Sequence, residues 1–354
     1  MATKAVHVSD VPNLDHVPEN AASLSLYATR RPTGVDVSKN GKSFPKFTVI
    51  GHRGHGMNIL QSTDRRMKAF KENSILSFNN AAKHPIDYIE FDVQGTVFEK
   101  RATDLTINEF FSYGPQREAG KEGKSLVRKV NGKIVGWDVE SDDHLCTLQE
   151  AFQKVNPCIG FNIELKFDDN VVYEQDHLIH VLQVIMKVVS ENAKDRPIIF
   201  SSFQPDAALL MKKLQHRYPV YFLTNGGNEV YDDVRRNSLE EAKKLALEGR
   251  LDGIVSEVKA IFRNPSVVRE IKGSNLSLLT YGKLNNFSET VHVQQLMGVD
   301  GVIVDLVEEI TRAIGETKTR KGSDDEKREK TDEEDGRGIE LSFLLNLISQ
   351  VIQH

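Results

Sequence analysis

From Phe47 onward, short runs of β-branched and aromatic residues alternate with longer segments whose apolar positions recur at helical spacing. That alternation is the signature of parallel strands joined by helices. It predicts strands at Phe47 to Gly51, Tyr88 to Val93, Gly160 to Lys166, Pro197 to Phe203, Val220 to Thr224, Asp252 to Glu257, Leu276 to Tyr281 and Gly301 to Asp305. Between them it predicts helices at Ile75 to Lys83, Leu148 to Val155, Asp176 to Ser190, Asp206 to Arg217, Leu239 to Glu248, Ser266 to Lys272 and Glu289 to Met297. Pro205 suits the first turn of its helix, and Asn73 or Ser74 can cap the helix that follows them. Eight strands with seven intervening helices predict an α/β fold, a (β/α)8 TIM-type barrel. An open, doubly wound sheet stays as the alternative, because closure leaves no mark on periodicity.

The pattern also divides the chain. Residues 1–46 carry no comparable periodicity and read as a flexible arm, and the barrel occupies 47–316. One connection is exceptional: 95–147 is rich in Gly, Lys, Glu and Arg and reads as an insertion, with Thr106 to Tyr113 and Trp137 available to pack it. A run of mixed charge over 317–338 reads as a solvated linker. The final segment, 339–354, is apolar on most faces of a short helix and is expected to dock on the barrel. It lacks the basic face of a membrane-surface helix.

Composition narrows the function classes. A net charge of −5 with Lys and Arg spread along the chain offers no basic face, so nucleic acid is not an expected partner. Two cysteines, Cys146 and Cys158, without a Cys-x-x-Cys pattern, indicate neither a disulfide framework nor a structural zinc site. No apolar run is long enough to span a bilayer, and the first residues carry Asp10, Asp15 and Glu19 instead of an apolar signal core. A soluble, cytoplasmic protein is the expectation. The Ser-, Thr- and Arg-rich stretch from Ala21 to Lys46 keeps a plastid transit signal as the alternative.

The candidate chemistry lies where strands end. The C-terminal ends of parallel barrel strands share one face, so polar residues there converge although they are distant in sequence. The first strand runs into Gly51, His52, Arg53 and Gly54, the second carries Glu90 and Asp92, and the third carries Glu164 and Lys166. Each of the latter pairs is spaced by two and shares one side of its strand. Three converging carboxylates repel one another unless a hard divalent cation with oxygen ligands lies among them, so Glu90, Asp92 and Glu164 are candidate ligands for Ca2+ or Mg2+ rather than zinc. Arg53 and Lys166 add fixed positive charge suited to an anionic phosphoryl group, and His52 can move a proton. An internal salt-bridge layer is the competing reading, and it explains six such residues on three consecutive strands less well.

Other features are weaker. Phe203 and Tyr281 end strands and can wall a substrate pocket, with core packing as the alternative. Ser201 and Ser202 lack the glycines of a nucleophile elbow. Gly226 and Gly227 read as a turn sooner than as a phosphate cradle.

In combination, His52-Arg53-Gly54, Glu72-Asn73-Ser74, Ile89 to Gln94 and Glu164-Leu165-Lys166 resemble the glycerophosphodiester phosphodiesterase family, particularly its plant members. Phe200 to Asp206 and Thr280 to Asn286 extend the resemblance, which spans about 47 to 310. The resemblance implies a TIM-type barrel, bound Ca2+ or Mg2+, and hydrolysis of glycerophosphodiesters to an alcohol and glycerol 3-phosphate. It further implies metal ligation by Glu90, Asp92 and Glu164, phosphate contact by Arg53 and Lys166, and acid or base work by His52. The family's second histidine belongs to a hairpin that follows the residues matching Asp92 to Gln94. Here Gln94 leads directly into Gly95 to Arg101, which resemble the family's sequence beyond that hairpin. The chain reads as an internal deletion, such as an alternative transcript or a mispredicted gene model would produce, and weakened catalysis is expected. His55 is the nearest substitute in sequence. A non-catalytic protein that binds metal and phosphodiester is the alternative, and a barrel acting on phospholipid or inositol phosphodiesters is a third reading.

Overall fold

A computed structural model of the chain describes residues 46–93, 96–97, 100–101, 104–118, 120–130, 133–169 and 171–324. Eight parallel strands close into a barrel: β1 (Thr48–Gly51), β2 (Tyr88–Val93), β3 (Gly160–Leu165), β4 (Ile198–Ser202), β5 (Val220–Thr224), β6 (Gly253–Glu257), β7 (Ser277–Tyr281) and β8 (Gly301–Val304). The closing pair is β1 with β8, in the register Thr48 with Gly301 through Gly51 with Val304. The expected closed barrel is therefore the fold, and every expected strand is present to within a residue or two at its ends.

Alternation along each strand sorts side chains between two cores. Ile50, Ile199, Tyr221, Leu223, Val255, Leu279 and Ile303 fill the barrel, with Tyr88, Phe203 and Tyr281 packed on them. The intervening residues, such as Val49, Ile89, Phe91, Phe161, Ile163, Leu165 and Phe222, face the surrounding helices. In β2 this parity sends Ile89, Phe91 and Val93 outward, so Glu90 and Asp92 must turn inward with Tyr88. In β3 the same rule directs Asn162 and Glu164 inward, and the β2–β3 register sets Asp92 beside Glu164. The acidic cluster is thus a consequence of strand parity.

The helices begin where their sequences supply caps. Ser74 accepts from the Ser77 amide at the start of Ile75–Ala81, Thr147 forms a capping box with Glu150 ahead of Leu148–Lys154, and Pro205 opens Pro205–Leu214. Two helical features were not anticipated. A short helix, Val258–Arg263, follows β6 directly, and Asn264 and Pro265 separate it from Ser266–Gly273. The helix after β8, Val307–Asp324, continues into the segment read as a linker, where Lys318, Arg320 and Lys321 have good helix propensity. The arm before residue 46 and the chain after 324, including the expected docking helix, lie outside the described residues, as does the join at Gln94 and Gly95.

Within the insertion, Ile107–Phe111 forms a helix and Val127–Val130 pairs antiparallel with Lys133–Gly136. The insertion returns along the loop after β1. Ser141 donates its amide to Ala69 O at 2.9 Å, and Lys71 donates to Ser141 O at 3.0 Å. No helix among the described residues is long and apolar enough to cross a membrane.

Candidate active site

The loop leaving β1 makes a tight reversal that places His52 and Arg53 over the barrel mouth. Arg53 itself has φ 51, and Gly56 has φ +123. A Cβ on Gly56 would lie 2.3 Å from Asp305 O, so only glycine permits the loop to sit this close to the end of β8. Two results follow from that approach. The Met57 amide donates to Asp305 Oδ1 at 2.9 Å, and His52 Nδ1 lies 2.8 Å from the same oxygen. Asn286 completes the cradle, donating from Nδ2 to Asp305 Oδ2 at 2.9 Å and accepting the Asp305 amide at 2.7 Å.

His52 Nε2 points the other way, 3.8 Å from Glu90 Oε2. Burial disfavours charge on the imidazole, but the adjacent Asp305 and the nearby Glu90 outweigh it and push its pKa up to about 9. Asp305 is correspondingly held down at about 2, against its burial, by His52 and its hydrogen bonds. With Asp305 as acceptor, Nδ1 carries a proton, and Nε2 is the nitrogen presented to the mouth.

Glu90, Asp92 and Glu164 each offer an oxygen, and these oxygens all lie within 4.8 Å of one another. Burial, reinforced by the charges of Asp92 and Glu164, pushes the Glu90 carboxyl up to about 8 despite His52. Asp92 moves the opposite way: burial opposes its charge, yet Arg53 and Lys166 hold it well below the usual carboxylate range. The Glu90 side chain accepts the Arg53 amide through Oε2 at 2.9 Å, while its buried Oε1 has no hydrogen-bond partner among the described residues. A buried, unpaired carboxylate oxygen in an all-oxygen triad is what a hard divalent cation would fit.

The cations sit on the same cluster. Arg53 Nη1 donates to Glu72 Oε1 at 2.6 Å and Nε lies 3.3 Å from Asp92 Oδ2. Lys166 Nζ pairs with Glu164 and lies 3.2 Å from Asp92 Oδ1. Asn73, also at positive φ (54), donates to Asp92 Oδ2 at 3.0 Å and fixes its rotamer. Phe203 and Tyr281 meet edge to ring at 5.8 Å, with Lys166 Nζ 5.8 Å from the Phe203 centroid. The Tyr281 hydroxyl donates to Asn225. The eight residues singled out from the sequence therefore gather at the C-terminal mouth.

A sequence model of the glycerophosphoryl diester phosphodiesterase family matches residues 52–97 and 95–309. This chain belongs to that family. Two Arabidopsis thaliana relatives fit over their full length and the full length of this chain. They are a chloroplastic glycerophosphodiester phosphodiesterase, 56% identical over 377 residues, and a second glycerophosphodiester phosphodiesterase, 53% identical over 384. The fold is shared with a solved glycerophosphodiester phosphodiesterase of Parabacteroides distasonis, at 18% identity and a TM-score of 0.51, over 78% of this chain and 100% of that one.

Strand parity and strand ends led to His52, Arg53 and the acidic triad, and the family motifs agreed, but other parts of the site escaped both. Asp305 carried a signal, since it closes the last predicted strand as the other candidates close theirs. Glu72 was legible only as a motif letter, Asn73 as a motif letter and a helix-cap candidate, and Asn286 only as the last residue of the Thr280 to Asn286 motif, with no role attached to it. His55 packs away from the carboxylate cluster's hydrogen bonds, against two rings. Its ring lies against Phe70 (5.1 Å) and His84 (5.5 Å), and burial and His84 lower its pKa.

Proposed function

We propose that this phosphodiesterase hydrolyses glycerophosphodiesters to an alcohol and glycerol 3-phosphate, at a rate reduced by the absence of a second catalytic histidine. The observation that carries the reading is a single His52, oriented by Asp305, beside an acidic triad flanked by Arg53 and Lys166. The two relatives that carry enzyme names over their full length favour activity over a purely binding protein.

Glu90, Asp92 and Glu164 are the proposed ligands of Ca2+ or Mg2+. Such an ion, when bound, neutralises charge on the phosphoryl oxygens and polarises phosphorus. Arg53 and Lys166 orient the phosphoryl group, and the Phe203 and Tyr281 rings line the mouth beside it. His52 is the proposed acid: Nε2 gives its proton to the departing alkoxide oxygen, Nδ1 keeps its own proton in the hydrogen bond that Asp305 accepts, and the attacking water loses its proton to solvent. No second base is assigned to the attacking water. A positioned acid or base contributes roughly 10²- to 10⁴-fold, which sets the size of the deficit.

The proposed deletion finds support in the alignments. They run over 377 and 384 positions against 354 residues here, and the family match falls into two pieces that meet at 95–97. The name of the first relative also supports the plastid alternative for location, whereas the cytoplasmic expectation gains no support.

The test is release of glycerol 3-phosphate from glycerophosphocholine with Ca2+ or Mg2+, comparing this chain, its His52→Ala variant and a version with the hairpin restored. Slow release that depends on His52 and rises at least 10²-fold on restoration is expected. Release equal to the restored version would overturn the weakened reading. No release beside an active restored control would overturn the claim of activity.

A further inference from the structure

Glu72 is a single buried carboxylate with two guanidinium partners, and they come from different parts of the chain. Its side chain is 1% exposed. Oε1 accepts from Arg53 Nη1 at 2.6 Å and from Arg128 Nη2 at 2.5 Å, and Oε2 accepts the Asn58 amide. Arg53 is the proposed phosphoryl contact. Arg128 lies on the hairpin of the insertion, where its Nη1 donates to Asn58 O at 2.8 Å and its guanidinium lies 4.0 Å from the Trp137 ring. Trp137 donates from Nε1 to Asn58 Oδ1 at 3.0 Å, which fixes the ring that carries Arg128.

We propose that Arg128 is a positioning residue for Arg53, so that the insertion tunes how the site holds a phosphoryl group; this rests on the proposed function above. The physical ground is charge sharing. A buried carboxylate left with one cation binds that cation more tightly, and drawing the cation toward another anion would strand the carboxylate. Arg128 supplies the second positive charge to Glu72. Arg53 can then turn toward a phosphoryl group while Glu72 stays paired, and Arg53 Nη2, which donates no hydrogen bond to the described residues, is the group free to do so. Without Arg128, Glu72 draws Arg53 back from the mouth.

The experiment is calorimetric titration of the full chain, loaded with Ca2+, with sn-glycerol 3-phosphate. Arg128→Ala is expected to raise Kd roughly tenfold and Arg128→Lys by less, in protein whose unfolding transition stays cooperative. The decisive arm is a double-mutant cycle. With Glu72→Gln in place there is no charge to share, and adding Arg128→Ala should then change Kd by less than about twofold. A purely structural role would lower Tm in both backgrounds and leave the cycle additive. A folded Arg128→Ala protein that binds like the parent would overturn the inference, as would a full effect that persists beside Glu72→Gln. If Arg128→Ala does not fold, Arg128→Lys and Arg128→Gln decide: weaker binding by the Gln variant supports the inference, and equal binding overturns it. A parent chain that binds no sn-glycerol 3-phosphate would overturn the proposed function and this inference with it, whereas parent binding with unaltered variants overturns the inference alone.

Discussion

Asp305→Asn isolates the contact that orients His52, because it keeps the shape of the side chain while removing its charge. The size of the effect can be read from the carboxyl. Burial alone would raise its pKa, yet His52 and the Asn286 and Met57 hydrogen bonds hold it at about 2 instead of 3.8. That difference of roughly two pKa units corresponds to about 2 kcal/mol of native-state stability. His52 rises from 6.5 to about 9, but that shift also contains Glu90; the Asp305 shift contains the Asn286 and Met57 hydrogen bonds, so about 2 kcal/mol is the upper bound for the ion pair itself. The pH dependence has a definite sign at each end. Asp305 has a lowered folded pKa, so its contribution is present above the unfolded value and is lost as pH falls through about 2. His52 has a raised folded pKa, so its contribution is complete below about 6.5 and is lost as pH rises through about 9. The pair is therefore worth most between about pH 4 and 6.5. Urea unfolding of chelator-treated parent and Asp305→Asn proteins should differ by up to about 2 kcal/mol at pH 5.5 and by less than about 1 kcal/mol above pH 10. The same difference at both pH values would refute the ion pair as its source, and no difference at pH 5.5 would refute the contact.

Two further outcomes follow from the site. Adding Ca2+ or Mg2+ to chelator-treated protein should raise Tm by several degrees at about 100-fold excess over Kd, and Glu90→Gln combined with Glu164→Gln should abolish the rise; an equal rise in the variant would remove the triad as the binding site. Gly56→Ala should destabilise by about 3 kcal/mol in urea unfolding, since alanine must hold φ +123 with its Cβ 2.3 Å from Asp305 O. A loss below about 0.5 kcal/mol would show that the loop reaches β8 less closely.

Much of this site was legible in the sequence because strand parity is local. A period of two decides which residues of Tyr88–Val93 and Gly160–Leu165 turn inward, so Glu90, Asp92 and Glu164 could be assigned to one interior from their neighbours alone. Positions at strand ends were legible for the same reason, which is why His52, Arg53, Lys166, Phe203 and Tyr281 were found. Closure was not legible. Pairing of Thr48–Gly51 with Gly301–Val304 is set by the accumulated tilt of all the strands, and no single strand records it. The helix Val258–Arg263 was missed because six residues carry too little periodicity to stand apart from the strand before them.

The sequence by itself determined the barrel's strands, the family, and the identity of most charged groups at the mouth, because periodicity and motif spacing are properties of neighbouring residues. Only the tertiary structure decided how those charges are balanced. His52 meets Asp305 across 253 residues, and Glu72 is shared between Arg53, 19 residues away, and Arg128, 56 residues away. Such contacts depend on barrel closure and on the insertion folding back over the first loop. The electrostatic state of a buried group is set by what surrounds it in space, and that is what gives His52 its orientation and its proton.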